Sequence, residues 1–334
     1  MRRGGFPRRL PLILLLLSLA ACAPRLQEIG PPVDAPRLEP NAIHMADGAD
    51  LPLRVWEPWD RPAEAVILGL HGFNDYSKGL AAVGKGMARR GFIFYAYDQR
   101  GFGASPQHGI WPGEARLIDD LRVAARLIKA RHPGLPLFLL GESMGGSVIM
   151  SAAVGADPPP ADGLILAAPA IWGWQTISGP SRAVFEAAAH LVPWMTVRPT
   201  GFHAPASSNR AALIALGRDP LVIKATRIDT AYGLVNLMSS AYDAAAKLEH
   251  PRWLALFGAR EAILSRNAVN QTLPHFKTLS PDQGRLGIYH FGYHLLLRDY
   301  TQYTVFDDIA AWIRNPAAPL PSGADADAAK DSLD

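Results

Sequence analysis

"LFLLGESMGGSVIM", residues 137–150, is the stretch whose reading decides the fold. Its first half is an apolar run with the character of a buried strand that stops at Gly141, and a small-residue helix begins at Met144. Between them stands Ser143, with Gly141 and Gly145 two positions away on either side. A strand that turns at once into a helix carries its corner residue through a strained backbone conformation. Glycines on both sides remove the Cβ atoms that would otherwise collide there. The corner side chain then stands above the carboxyl ends of the strands, where open parallel sheets place their chemistry. Gly-x-Ser-x-Gly alone is modest evidence. Whether Ser143 is a nucleophile or an inert residue in a connection depends on its partners.

Working outward, strands and helices alternate, which predicts an α/β fold with a mostly parallel sheet covered by helices on both faces. "IHMADGADLPLRVW" (43–56) reads as an antiparallel hairpin turning near Asp47-Gly48. "AVILGLHG" (65–72) is a buried strand, 77–90 a helix, and "FIFYAYD" (92–98) the next strand. "EARLIDDLRVAARLIKARH" (114–132) has helical period, and "GLILAAPA" (163–170) follows the Ser143 turn and its helix. "RWLALFG" (252–258), a helix near 265–276, "RLGIYH" (285–290) and a final helix near 295–314 complete the series. Residues 171–250 break the alternation with helical segments bearing aromatic and aliphatic faces. They are expected to form a cap after the sixth strand, over the catalytic edge of the sheet. Some of Trp172, Trp174, Val192, Trp194 and Met195 should then face an apolar cleft. The catalytic domain is expected to span 42–314.

Bulk composition fits a globular enzyme with a substantial core: 334 residues, 49% hydrophobic and 19% charged. The formal charge of +3 comes from the leader. Arg2, Arg3, Arg8 and Arg9 lie within residues 1–21, which hold no acids, so the remainder has 29 basic against 30 acidic residues, a net of −1. The basic balance therefore gives no reason to expect a nucleic-acid partner. After those arginines comes an uncharged "LPLILLLLSLAAC" (10–22), the layout of a secretory signal and too short for a comfortable transmembrane helix. Its "LAAC" end holds the only cysteine and resembles the bacterial lipoprotein lipobox, which implies cleavage before Cys22 and lipidation of its sulfur. That predicts an exported, membrane-anchored protein. Residues 22–41, rich in proline, read as an extended tether. Residues 315–334, small and polar, read as a disordered tail. With one cysteine no intrachain disulfide can form.

Neither a metal site nor a dinucleotide site is expected from the residues. The ten histidines show no ligand spacing, and the Gly-x-Gly of "VGKGMARRG" lies in a helical stretch rather than at a strand-to-helix turn.

A serine hydroxyl needs a base, an orienting acid and donors for the oxyanion. "IYHFGYHLLLRDY" offers His290, near the strand end and expected to pack structurally, and His294, which follows Gly292-Tyr293 and opens the last helix. His294 is the expected base. "HGFNDYS" (71–77), "YDQRGFGASP" (97–106), "GESMGG" (141–146) and "GYHLLLRD" (292–299) together resemble the monoacylglycerol lipase and lysophospholipase branch of the α/β-hydrolases, of the serine aminopeptidase S33 (Hydrolase_4) type. The resemblance spans residues 42–314. It implies hydrolysis of a carboxylic ester of a single-acyl-chain lipid, without a cofactor. The chain order nucleophile, acid, histidine supports His294, and the backbone amides of Phe73 and Met144 are the expected oxyanion donors. His71 is expected to be structural, and Asp98 and Arg100 to steady a loop by local pairing. The alternatives are a broad short-chain carboxylesterase or thioesterase, or a silent binding lipoprotein on the same fold.

The acid departs from the resemblance. Relatives of this kind usually place aspartate in a Gly-x-x-Asp arrangement after the strand that follows the cap. Here the stretch is "GAREAIL", with Glu261 at that position and no aspartate until Asp282. Glu261 is the expected acid and Asp282 the alternative.

Overall fold

The computed structural model describes residues 23–198, 205–249, 252–278 and 284–328. The leader, Cys22 and Asp282 lie outside the described residues. Nine strands form one sheet. In chain order they are β1 (Arg37–Leu38), β2 (Ala42–His44), β3 (Asp50–Trp56), β4 (Ala65–Leu70), β5 (Phe92–Tyr97), β6 (Leu137–Glu142), β7 (Gly163–Ala167), β10 (Trp253–Gly258) and β11 (Gly284–Tyr289). Their spatial order is β1-β2-β3-β5-β4-β6-β7-β10-β11. β1, β2 and β3 pair antiparallel, β3 joins β5 antiparallel, and every pair from β5 to β11 is parallel. The hairpin turns where expected, with Gly48 at φ 80.

The strands inside the sheet are apolar along their whole length because both faces are covered. Along β4, Val66, Leu68 and Leu70 belong to one core cluster while Ala65 and Ile67 belong to the other. That is the two-residue alternation of a pleated strand. The first face is covered by α2 (Glu114–Arg131) and α3 (Met144–Ala153), through Leu117, Leu121, Val148 and Ile149. The second is covered by α1 (Ala81–Ala88) and α8 (Gln302–Arg314), through Val83, Met87, Phe306 and Trp312.

Between β7 and β10 lie α4 (Gly179–Leu191), β8 (Thr196–Val197), α5 (Arg210–Arg218), β9 (Thr226–Arg227) and α6 (Ile228–Ala245), and α7 (Arg266–Thr278) lies between β10 and β11. This insertion follows the seventh strand rather than the sixth, because Arg37–Leu38 adds an edge strand that the sequence pattern does not display. Its members differ in burial. α6 shares the main core through Leu237, Met238, Ala241 and Ala245, whereas α4 buries only Ala189. The insertion also contains a two-residue antiparallel pair, β8 with β9, where no strand is expected.

The described parts of the two flanking segments, 23–41 and 315–328, differ from expectation. The proline-rich N-terminal segment is extended but is not a free tether. Leu26 bridges Trp111, Gln27 N–H donates to Trp111 O at 2.9 Å, and the Gln27 side chain donates to Ile110 O at 2.9 Å. Arg25 N–H reaches Asp229 at the start of α6 at 3.2 Å. The tail expected to be disordered folds back across β11 as far as residue 328. Leu320 and Ala324, the first residue of α9 (Ala324–Ala328), are buried against the second face, while Ala328 at its end joins the first; Arg285 pairs with Asp325, and Ser322 N–H donates to Asp308 at 3.0 Å. Low apolar content misleads in both segments because their backbone groups find partners on the domain surface.

The helix expected over 295–314 is broken. A short 3₁₀ turn, Leu296–Arg298, precedes α8, and Asp299 between them has extended backbone, φ −79 and ψ 169. Its carboxylate accepts amides from Tyr293 at 3.2 Å, Tyr300 at 2.8 Å and Ser208 at 3.0 Å. Those bonds compete with continued helix.

Truncation after Arg314 should leave the sheet folded but uncover β11 and Asp308. Loss of buried Leu320 and its neighbours should lower the free energy of urea unfolding by about 2–3 kcal/mol. An unchanged urea midpoint would show that the tail contributes nothing to the fold.

Candidate active site

The site is built on the turn from β6 into α3. Ser143 adopts φ 54 and ψ −117, a region that costs a non-glycine residue on the order of 1–3 kcal/mol. The surroundings over-determine it. A Cβ on Gly141 would lie 2.4 Å from Gly145 C, and one on Gly145 would lie 2.3 Å from Leu70 O. The Ser143 carbonyl accepts amides from Gly146, Ser147 and Ala170 at 2.9, 3.2 and 3.1 Å, and its own N–H donates to Ala167 O at 3.0 Å. Helix, turn and neighbouring strand therefore hold the residue on its strained corner with its side chain half-buried at the sheet edge.

His294 and Glu261 converge on it from the loops after β11 and β10. His294 Nε2 lies 3.0 Å from Ser143 Oγ, and His294 Nδ1 lies 2.7 Å from Glu261 Oε2. The second carboxylate oxygen, Oε1, accepts the amides of Ile263 at 2.7 Å and Leu264 at 2.9 Å. Glu261 is fully buried and His294 nearly so. Burial pushes the Glu261 carboxyl upward, but the His294 charge and hydrogen bond and the two amides outweigh it and hold it below its ordinary range. Burial pushes the His294 imidazole downward, yet the Glu261 carboxylate, with Glu142 adding to it and Arg298 opposing, leaves it raised. A carboxylate held ionised and bound to Nδ1–H leaves Nε2 as the acceptor facing Ser143.

The sequence-expected oxyanion donors flank the same point. The amides of Phe73 and Met144 have no acceptor among the described residues. Met144 is the first residue of α3, whose N-terminal dipole favours negative charge there. A Cβ on Gly72 would come within 3.4 Å of Ser143 Cβ. The loop carrying Phe73 thus lies directly over the nucleophile.

His71 is buried and structural, as its position suggests. Its Nε2 accepts Gln99 N–H at 3.0 Å, which places the proton on Nδ1, 2.8 Å from Gly72 O. Burial lowers its proton affinity, so it stays neutral. Asp98 accepts the Ser77 amide at 3.0 Å and the Ala104 amide at 2.9 Å. Arg100 pairs with Asp47 and Asp120, at 2.8 and 2.7 Å, so the two steady their loop through other partners and not through each other. His290 is exposed just past the end of β11.

Over the serine lies a cavity of about 600 Å³. Its walls are mostly apolar, with Trp172, Leu213, Leu216, Val222, Leu234 and Met238 from the cap, and it includes Ser143 and His294. Of the five cap residues expected at a cleft, only Trp172 lines this one. Trp174 packs at a tilt against Phe185 and Tyr232, and Trp194 and Met195 are half-exposed on the surface.

Comparison with known proteins gives the family. The Hydrolase_4 family model, described as serine aminopeptidase S33, matches residues 61–301. The chain belongs to this family. Human monoglyceride lipase is 26% identical to this S33-family chain over 307 residues, covering 86% of it and 97% of the relative. Monoacylglycerol lipase of Mycolicibacterium smegmatis is 26% identical, covering 78% and 91%. Among solved structures, a soluble variant of Saccharomyces cerevisiae monoglyceride lipase superposes with a TM-score of 0.66 at 20% identity, covering 87% of this chain and 97% of its own. Paleococcus ferrophilus monoacylglycerol lipase gives 0.65 at 19%, covering 79% and 98%. At those identities the structures speak for the fold alone.

Sequence reasoning passed over three charged residues packed beside the triad: Asp75, Glu142 and Arg298. Two of them had a signal, since Glu142 closes an otherwise uncharged strand and Arg298 follows three leucines.

Glu261→Gln should keep the fold but remove the charge that fixes the His294 tautomer, lowering kcat by about 10²–10⁴ with KM little changed. Because His294 must be neutral to act and its pKa is raised, activity should fall as pH drops through a value above the ordinary histidine range. The Gln variant should move that limb to lower pH. Activity within about threefold of wild type would remove Glu261 from the triad.

Proposed function

We propose that this S33-family hydrolase cleaves the carboxylic ester of a single-acyl-chain lipid, a monoacylglycerol or lysophospholipid, through an acyl-enzyme. The observation that carries the reading is the apolar cavity roofed by the cap and opening onto Ser143. Such a cavity buries a hydrocarbon chain while polar groups at one end address the ester. The two curated relatives named monoglyceride and monoacylglycerol lipase, matched over most of their length, support the same substrate class.

In this reading Ser143 Oγ attacks the ester carbonyl carbon as His294 Nε2 takes its proton. The carbonyl oxygen becomes an oxyanion facing the Phe73 and Met144 amides. His294 then gives its proton to the leaving alcohol oxygen as the acyl–alcohol bond breaks. Water, deprotonated by the same imidazole, attacks the acyl-enzyme and releases the carboxylic acid, returning the proton to Ser143. Glu261 remains ionised throughout and stabilises the imidazolium in both halves.

We further propose that the protein is exported and held at a membrane through lipidated Cys22. The basic, apolar leader ending in "LAAC" supports this, as does the advantage of anchoring an enzyme whose substrate partitions into lipid. Arg25, three residues after Cys22, docks on Asp229 of the cap helix. The half-exposed Trp194 and Met195 belong to the same insertion, and Met195 O accepts Ile228 N–H at 2.8 Å, one residue before Asp229.

Purified enzyme assayed against monoesters of increasing acyl length should prefer long single chains, and Ser143→Ala should abolish turnover of every one. A preference for acetate and butyrate esters over long chains would favour a short-chain carboxylesterase. Cys22→Ser should leave a folded, active domain that no longer fractionates with membranes. Unaltered membrane fractionation would sink the anchor.

A further inference from the structure

Arg298 lies four residues after His294, with its side chain 11% exposed. Its Nη2 donates to Glu142 Oε2 at 2.6 Å and lies 2.6 Å from Asp75 Oδ2. Glu142 and Asp75 belong to different arms of the site. Glu142, fully buried, immediately precedes Ser143. Asp75 ends the turn that carries Phe73, its N–H donating to Gly72 O at 3.3 Å. A Cβ on Gly79 would lie 2.3 Å from Asp75 Oδ2, so Asp75 reaches the cluster because that side chain is missing. One guanidinium nitrogen thus joins the nucleophile strand, the oxyanion loop and the loop that carries the base.

We propose that Arg298 is a positioning residue for catalysis, holding Ser143, the Phe73 amide and His294 in mutual register through Glu142 and Asp75. The proposal rests on the site being a serine ester hydrolase and is independent of which ester it prefers.

Stability does not explain the cluster well. It buries two carboxylates against one guanidinium, and among the described residues Glu142 Oε1 and Arg298 Nε have no hydrogen-bond partner, while Asp75 Oδ2 has the Arg298 ion pair in place of one. Apolar residues of similar volume commonly stabilise a core at least as well as a buried ion cluster. Its location supplies the better reason. The charged groups acting on His294 are Glu261, Glu142 and Arg298, from the loop after β10, the end of β6 and its own loop. Glu142 favours the imidazolium and Arg298 opposes it. A bare Glu142 carboxylate one residue from the nucleophile would also repel the developing oxyanion, and Arg298 offsets that repulsion.

The test separates geometry from charge in the full-length protein, with p-nitrophenyl butyrate as substrate. Arg298→Lys keeps the charge but not the reach and fork of the guanidinium. It should lower kcat by about tenfold or more, with KM within about threefold and the acid limb of the pH profile in place. Glu142→Gln removes a carboxylate that favours the imidazolium, so its acid limb should move to lower pH. The rate of Ser143 labelling by a fluorophosphonate should fall in parallel with kcat, and it reads the arrangement even if the substrate assignment is wrong. If Arg298→Lys does not fold, Asp75→Asn, which leaves the Arg298–Glu142 pair, takes its place with the same expected loss of kcat. Folded variants with wild-type kcat, labelling rate and pH profile, altered only in melting temperature, would reduce the cluster to a buried ion pair and overturn the proposal.

Discussion

The close approach of backbones at the Ser143 turn is the constraint on which the rest depends. The start of α3 lies so near the end of β4 that a single methyl on Gly145 would strike the Leu70 carbonyl. That contact fixes where α3 leaves the sheet, and with it the face on which α2 and α6 can pack. It also sets the height at which Ser143 projects and places the Met144 amide next to it, at the first residue of α3. Protein interiors have too little free volume to absorb an error there. The strain at Ser143 persists because four backbone hydrogen bonds and two missing side chains leave no relaxed alternative.

The catalytic carboxylate shows how such a frame tolerates a change of residue. Glutamate is one methylene longer than aspartate. Glu261 is accommodated because its loop hands both oxygens defined partners: one takes His294, and the other takes two consecutive amides after the turn. The amides cap one end of the carboxylate, and the imidazole meets the other at 2.7 Å. Solvated, the same side chain would have had several rotamers to choose among; buried with three donors, it has one.

What was legible in the sequence was local. Apolar runs and 3.6-residue periods disclosed the strands from β2 through β7, β10 and β11 and the helices between them, and the order of Ser143, Glu261 and His294 along the chain matched loops at one edge of the sheet. The illegible features depend on partners far apart in sequence. Arg298 meets Glu142 across 156 residues, and nothing in "HLLLRD" says which carboxylate the arginine will find. The final helix reads as continuous because its apolar period is continuous, yet Asp299 spends its carboxylate on amides from three segments. Both termini read as uncovered because composition reports apolar content, while their docking relies on hydrogen bonds and a few anchors such as Gln27 and Leu320.

The Asp299 contacts also tie the base to the roof of the cavity. Leu295, next to His294, donates its N–H to Ala206 O at 2.8 Å, and Asp299 accepts from Ser208 at 3.0 Å. Ala206 lines the cavity and Ser208 lies two residues further along the same cap segment. Moving that segment outward must break the bonds that brace the histidine loop. The roof and the proton acceptor therefore form one mechanical unit, and a displacement of either is felt by the other.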